Sequence, residues 1–124
     1  MSWNLNSERP IYAQIMERIT LDIVSGIYLP GARLPSVRDL AQDAGVNPNT
    51  MQKALSELER TGLVISQRTS GRFITEDLTM VEKTKQNLAS MQIREFLEKM
   101  EHIGFTKESI IQLIEQIETE EEAS

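Results

Sequence analysis

The chain has no cysteine, a single histidine and only six aromatic residues among its 124. Without cysteine it has neither disulfides nor thiolate chemistry. The lone His102 sits beside Glu98 and Glu101 near the end of an acidic stretch, where an isolated surface histidine reads as solvated. Glu95, Glu98, Glu101 and His102 could gather a stray cation at helical spacing, but an exposed oxygen-rich row reads as a charged helix face, and no metal or cofactor is expected. No glycine-rich phosphate loop, Ser/His/Asp set or Cys/His set is present, so no enzyme is expected. No apolar run approaches the ~20 residues that cross a bilayer, and no charged start leads into an apolar stretch. A cytoplasmic protein without a membrane partner is the economical expectation, with room for one compact domain and a small appendage.

Positive charge is also in short supply, with 13 Lys and Arg against 19 Asp and Glu for a net charge of -6. That total hides a segregation. Residues 1 to 76 carry 8 basic and 8 acidic side chains, whereas residues 77 to 124 carry 5 and 11. Between 33 and 72 the count is 6 basic to 4 acidic. Any polyanionic partner must therefore meet a local positive surface, with an affinity that falls steeply as salt rises.

What is present is a dense set of signals between Leu34 and Ile74. Ser36, in Leu-Pro-Ser-Val-Arg-Asp, is placed to cap a helix with Asp39 three residues on. Val37, Leu40, Ala41 and Ala44 then make one apolar stripe, and Gly45 closes the helix. Asn47 and Pro48 open a second helix at once, as cap and first helical residue. At 100° per residue Met51, Ala54, Leu55 and Leu58 share one side, while Asn49, Gln52, Lys53, Ser56 and Arg60 share the other. Amide side chains can pair with an adenine edge, and a lysine can meet guanine or phosphate. After Gly62, Leu63 to Gln67 reads as a strand, Arg68-Thr69-Ser70-Gly71 as a turn, and Arg72 to Thr75 as the returning strand. Arg68 and Arg72 flank that tip and suit phosphates or a minor groove. Each signal is common by itself. Their order within about 40 residues is what predicts a DNA-reading winged helix-turn-helix.

Gly-Ala-Arg-Leu-Pro-Ser-Val-Arg-Asp-Leu-Ala at 31 to 41, Gly-Val-Asn-Pro-Asn-Thr-Met at 45 to 51 and Leu-Glu-Arg-Thr-Gly-Leu-Val at 58 to 64 resemble the winged-helix domain of GntR-type bacterial transcription regulators. Asn-Pro-Asn-Thr and the upstream Pro-Ile-Tyr-Ala-Gln-Ile at 10 to 15 are similar to the small YtrA-like subgroup. The resemblance covers roughly residues 9 to 75. It implies DNA contacts from Arg38, from Asn47, Asn49, Thr50 and Gln52, and from the wing with Arg68, Ser70, Gly71 and Arg72; the helical wheel adds Lys53. In place of the family's Gly-x-Gly the wing has Thr69-Ser70-Gly71.

Upstream, Pro10 starts a helix in which Ile11, Ile15, Ile19 and Ile23 recur every four residues, with Tyr12, Met16 and Val24 alongside and Gly26 at its end. After Met1, Trp3 and Leu5 are the only apolar residues of an arm over residues 1 to 9 that either packs or stays mobile. Ala32 to Leu34 is a candidate third strand beside the hairpin. Downstream, Leu78 to Ile103 runs without Gly or Pro, a helix of about 37 Å. Gly104 breaks it, Thr106 caps a last helix with Ile110, Ile111, Leu113, Ile114 and Ile117, and the acidic end from Glu118 is expected to fray. Two helices cannot cover all this apolar surface alone.

The expected fold is thus mostly helical with a small β-hairpin: a winged helix-turn-helix domain over 1-76 and a helical dimerisation region with an acidic tail over 77-124. The expected function is sequence-specific binding of a double-stranded DNA operator, as a homodimeric repressor on an inverted repeat. The resemblance also implies dimerisation through the short helical part. An unidentified small-molecule effector is left open, with no residue marking its site. The alternative is a winged-helix protein-interaction module that uses the acidic C-terminal helices; such a module should expose apolar residues on the outward face of its second motif helix.

Overall fold

The computed structural model describes residues 3 to 123 and divides into two compact units, Met1–Lys85 and Gln86–Ser124. Its elements run α1 (Ile11–Val24), α2 (Val37–Ala44), α3 (Pro48–Thr61), β1 (Val64–Gln67), β2 (Gly71–Ile74), α4 (Leu78–Ile103) and α5 (Lys107–Ala123). This is the mostly helical fold with one hairpin that the pattern predicts.

In the first unit the start of α1 and both ends of α2 and α3 have local causes. Pro10, with its ring-fixed φ of -52°, leads the chain into α1. The Ser36 hydroxyl accepts from the Asp39 amide at 3.1 Å, and the Asn47 side chain accepts from the Asn49 amide at 2.8 Å, so α2 and α3 are both capped where expected. Gly45 and Gly62 end them in the left-handed region, at φ 72° and 90°. Ile15, Ile19 and Ile23 of α1 meet Leu40 and Ala41 of α2 and Met51, Ala54, Leu55 and Leu58 of α3 in one core, completed by Leu34, Leu63, Val64 and Ile74. Met51 and Leu55 are fully buried, each removing apolar surface worth about 2 kcal/mol. Met80 and Val81, early in α4, also lie against this core.

The arm packs. Trp3 is buried, its indole N–H donates to Asp43 of α2 at 3.1 Å, and the Arg18 guanidinium of α1 covers its ring at 5.1 Å. Gln14, buried on α1, spends its side-chain amide on the same arm: it accepts from the Asn6 amide and donates to the carbonyls of Asn6 and Arg9. Met1 and Ser2 lie outside the described residues. Asp22 of α1 is buried and meets Arg18 at 3.3 Å. Burial pushes the Tyr28 hydroxyl above its ordinary pKa, and the carboxylates of Asp22 and Asp43 push it further.

The hairpin is antiparallel, with Val64 opposite Ile74, Ile65 opposite Phe73, Ser66 opposite Arg72 and Gln67 opposite Gly71. The turn therefore holds three residues, Arg68 to Ser70; Gly71 belongs to the returning strand. The expected third strand is reduced to a single bridge, Arg33 to Phe73, held by Leu34 N–H to the Arg72 carbonyl and Ile74 N–H to the Ala32 carbonyl, both at 2.8 Å. Pro35 and the cap at Ser36 leave no room for more pairing.

In the second unit, Thr106 and Ser109 cap α5 reciprocally: the Thr106 hydroxyl accepts from the Ser109 amide, and the Ser109 hydroxyl accepts from the Thr106 amide. Ile110 is buried, but Met91, Ile93, Phe96, Ile103, Ile111, Ile114 and Ile117 stay exposed. The acidic end does not fray as expected. It remains helical through Ala123, with Thr119 donating to the Glu115 carbonyl at 3.0 Å and Gln116 reaching Glu120 at 3.4 Å. No glycine or proline falls there to stop the helix, and its acidic side chains are exposed. Ser124 is outside the described residues. Among the described residues no helix is long and apolar enough to cross a membrane.

Candidate nucleic-acid interface

The α2-turn-α3 pair presents α3 with its aliphatic side inward, because Met51, Ala54, Leu55 and Leu58 are held in the core. Asn49, Gln52, Lys53 and Ser56 are exposed as a consequence. Their polar atoms are not equally free. Gln52 donates to the Ser56 hydroxyl at 3.3 Å, which leaves its carbonyl oxygen outward. The Lys53 ammonium lies over the Tyr12 ring of α1, 4.0 Å from the centroid, so the aromatic face steadies it without neutralising it. Asn47 has spent its side-chain oxygen on the cap and keeps only its amide N–H groups for a ligand.

Thr50 is half-buried on the flank of α3. With Asn47 it lines a shallow cleft of about 710 Å³ beneath the arm, together with Trp3, Leu5 and Val46. The structure thus groups Asn49, Gln52 and Lys53 on one outward face and sets Asn47 and Thr50 at its edge. Arg38 is exposed on the first turn of α2.

The wing arginines differ more than the sequence suggests. Arg68 and Ser70 are exposed in the turn. Arg72 is half-buried and hydrogen-bonds Glu59 on the last turns of α3, an ion pair that ties the hairpin to that helix. By contrast Arg60 and Glu57, at 3.8 Å, form a loose pair whose arginine is largely exposed. Glu59→Ala should cost about 1 to 2 kcal/mol in chemical denaturation, since it strands a half-buried guanidinium. Glu57→Ala should stay within about 0.5 kcal/mol. Equal effects would mean that the Arg72 pair does not fasten the wing.

Tyr12, Glu59 and Arg33 escaped the sequence reading. Tyr12 falls within a helix read as scaffold, and Glu59 lies just off the outward arc of α3. Arg33 stands in a segment too short to announce its pairing. Only a register drawn across Arg33 and Phe73 could have found it.

A short helix, a tight turn, a second helix with an amide-and-cation face and an arginine-bearing hairpin together define a winged helix-turn-helix. None of the exposed large hydrophobic side chains among the described residues lies on α3, against the expectation for a protein-docking winged helix. The pattern described as "Bacterial regulatory proteins, gntR family" matches residues 11–74, and the chain belongs to that family of transcriptional regulators. It is 35% identical to the HTH-type transcriptional repressor YtrA of Bacillus subtilis over 90% of this chain and 86% of that protein. A GntR family transcriptional regulator from Listeria monocytogenes superposes with a TM-score of 0.84 at 37% identity, covering 90% of this chain and 98% of that one. The AraR DNA-binding domain in complex with operator ORE1 superposes with a TM-score of 0.53 at 37% identity, over 57% of this chain and 89% of that one. The chain is thus a GntR-family transcriptional regulator with DNA-binding structural neighbours and YtrA-type homologues.

Proposed function

We propose that this regulator is a homodimeric repressor that binds an inverted-repeat operator, reading each half-site with α3 and bracing on the DNA backbone with the wing. The exposed row of Asn49, Gln52 and Lys53 on a helix rigidly packed through its other side carries the reading. Asn49 and Gln52 suit adenine edges, with Lys53 beside them for guanine or phosphate. Arg38, Arg68 and Ser70 supply the positioning contacts, with Asn47 and Thr50 at the helix start and Gly71 and Arg72 shaping the wing.

Pairing falls to the second unit. Among the described residues seven large apolar side chains of this unit, from Met91 to Ile117, stay exposed, far more than scattered surface residues require, and a second copy offers the same surface in return. The acidic surplus of this region suits a part that does not itself bind DNA. Division into a DNA-reading part over 1-76 and a pairing part over 77-124 follows from this reading. The operator-bound AraR domain and the similar repressor YtrA support it by likeness. Repression follows if the operator overlaps a promoter and the bound dimer blocks polymerase.

The test is a gel shift with DNA from upstream of the protein's own gene and an unrelated fragment, at 50 and 200 mM salt. The upstream fragment should be preferred at both, with binding to each falling steeply with salt. Equal binding to the two fragments contradicts sequence-specific reading.

A further inference from the structure

Three arginines converge on the wing, and each is held differently. Arg72 has its charge matched by Glu59. Arg68 is exposed in the turn and pairs with no carboxylate among the described residues. Arg33 reaches the hairpin from outside it, in the bridge that makes residues 32 to 34 a third lane along β2. Its side chain lies along the ribbon: a Cβ built on Gly71 would stand 3.2 Å from the Arg33 Nε and 3.3 Å from its Nη2. Gly71 also has a φ of 103°. Both the backbone and the guanidinium therefore call for glycine at that position.

Arg33 is exposed and pairs with no carboxylate among the described residues. Its planar fork is already laid against a fixed backbone, so little rotamer freedom remains to be lost on binding. We propose that Arg33 is a DNA-phosphate contact of the wing, seated by the bare backbone of Gly71, and that with Arg68 it supplies the wing's uncompensated positive charge. The proposal rests on the DNA-binding reading above. A phosphate suits it better than a base edge, because the guanidinium lies along the ribbon and does not project from the tip.

The test measures fluorescence anisotropy of the full chain with two labelled duplexes, a mixed-sequence 30-base-pair DNA and the upstream fragment, between 50 and 200 mM salt. Arg33→Gln should weaken both duplexes alike, by about tenfold, and lower the slope of log affinity against log salt by about 0.9 per protomer. Arg33→Lys should keep the slope while recovering only part of the affinity, since an ammonium cannot make the forked contact. Gly71→Ala should cost less affinity in the Arg33→Gln background than in the parent. If Gly71→Ala fails to fold, the two Arg33 variants still decide the matter. An unchanged slope and affinity for Arg33→Gln overturns the assignment while parental binding stands. A loss confined to the upstream fragment makes Arg33 a base reader and equally overturns a phosphate contact. If the parent binds neither duplex, the DNA-binding reading itself fails and Arg33 goes with it.

Discussion

Lys53→Glu combined with Arg68→Glu should weaken binding to the upstream DNA by at least about a hundredfold at 100 mM salt while leaving the thermal midpoint within a few degrees of the parent. Each substitution turns an attraction to the DNA into a repulsion, and a dimer carries four such changes. Neither side chain is in the core. Lys53 rests on Tyr12, worth about 0.5 to 1 kcal/mol at an exposed site, and Arg68 is exposed in the turn. Arg72 is deliberately left alone: reversing it would set two carboxylates against each other at Glu59 and mix a stability defect with a binding defect. The slope of log affinity against log salt should flatten by nearly two per protomer if both side chains meet phosphate. A double variant that folds normally and binds as tightly as the parent would show that the outward face of α3 and the wing do not touch DNA.

The second large effect belongs to the other end of the chain. Ile111→Asp with Ile114→Asp should convert a dimer, about twice the 14.1 kDa protomer mass, into a monomer at micromolar concentration. Both residues are 45% exposed, which leaves apolar surface for a partner to cover. In a two-fold interface each substitution is counted twice, placing four carboxylates where four isoleucines met. Operator affinity should then fall by about 10² to 10⁴, because the second half-site is no longer bound as a tethered event. Far-UV circular dichroism should stay close to that of the parent, and binding to the mixed-sequence duplex should fall much less than binding to the operator. Light scattering that still gives twice the protomer mass would move the pairing surface elsewhere.

The amino-acid sequence disclosed most of the first unit because its signals are local. Ser36, Asn47 and Pro48 fix helix starts through their own hydrogen bonds and ring geometry, and the stripe from Met51 to Leu58 needs only helical periodicity to be recognised. What remained hidden depends on distance along the chain. Trp3 finds Asp43 across 40 residues, Arg72 finds Glu59 across 13, and Arg33 meets Gly71 only because the hairpin register brings a third lane beside β2. No period or motif encodes those meetings. The acidic end differs for a related reason: charge density predicts fraying, but without a breaker the helix continues through Ala123.

The same distinction orders the candidate site. Residue types on the outward face of α3 were legible from a helical wheel, whereas their availability was not. Asn47 gives its oxygen to a cap, Lys53 is held by Tyr12, and Arg72 is engaged by Glu59. Of the wing's arginines, Arg68 is exposed in the turn and Arg72 is a fastening. This leaves room for Arg33.

Hydroxyl-radical footprinting of the protein on the DNA it prefers tests the whole account most directly. Two helices presented by a symmetric dimer should protect two patches on one face of the duplex, their centres about one helical turn or a whole number of turns apart, over sequences related by inversion. A single protected patch, or protection over sequences without inverted symmetry, would contradict a regulator that reads DNA as a pair.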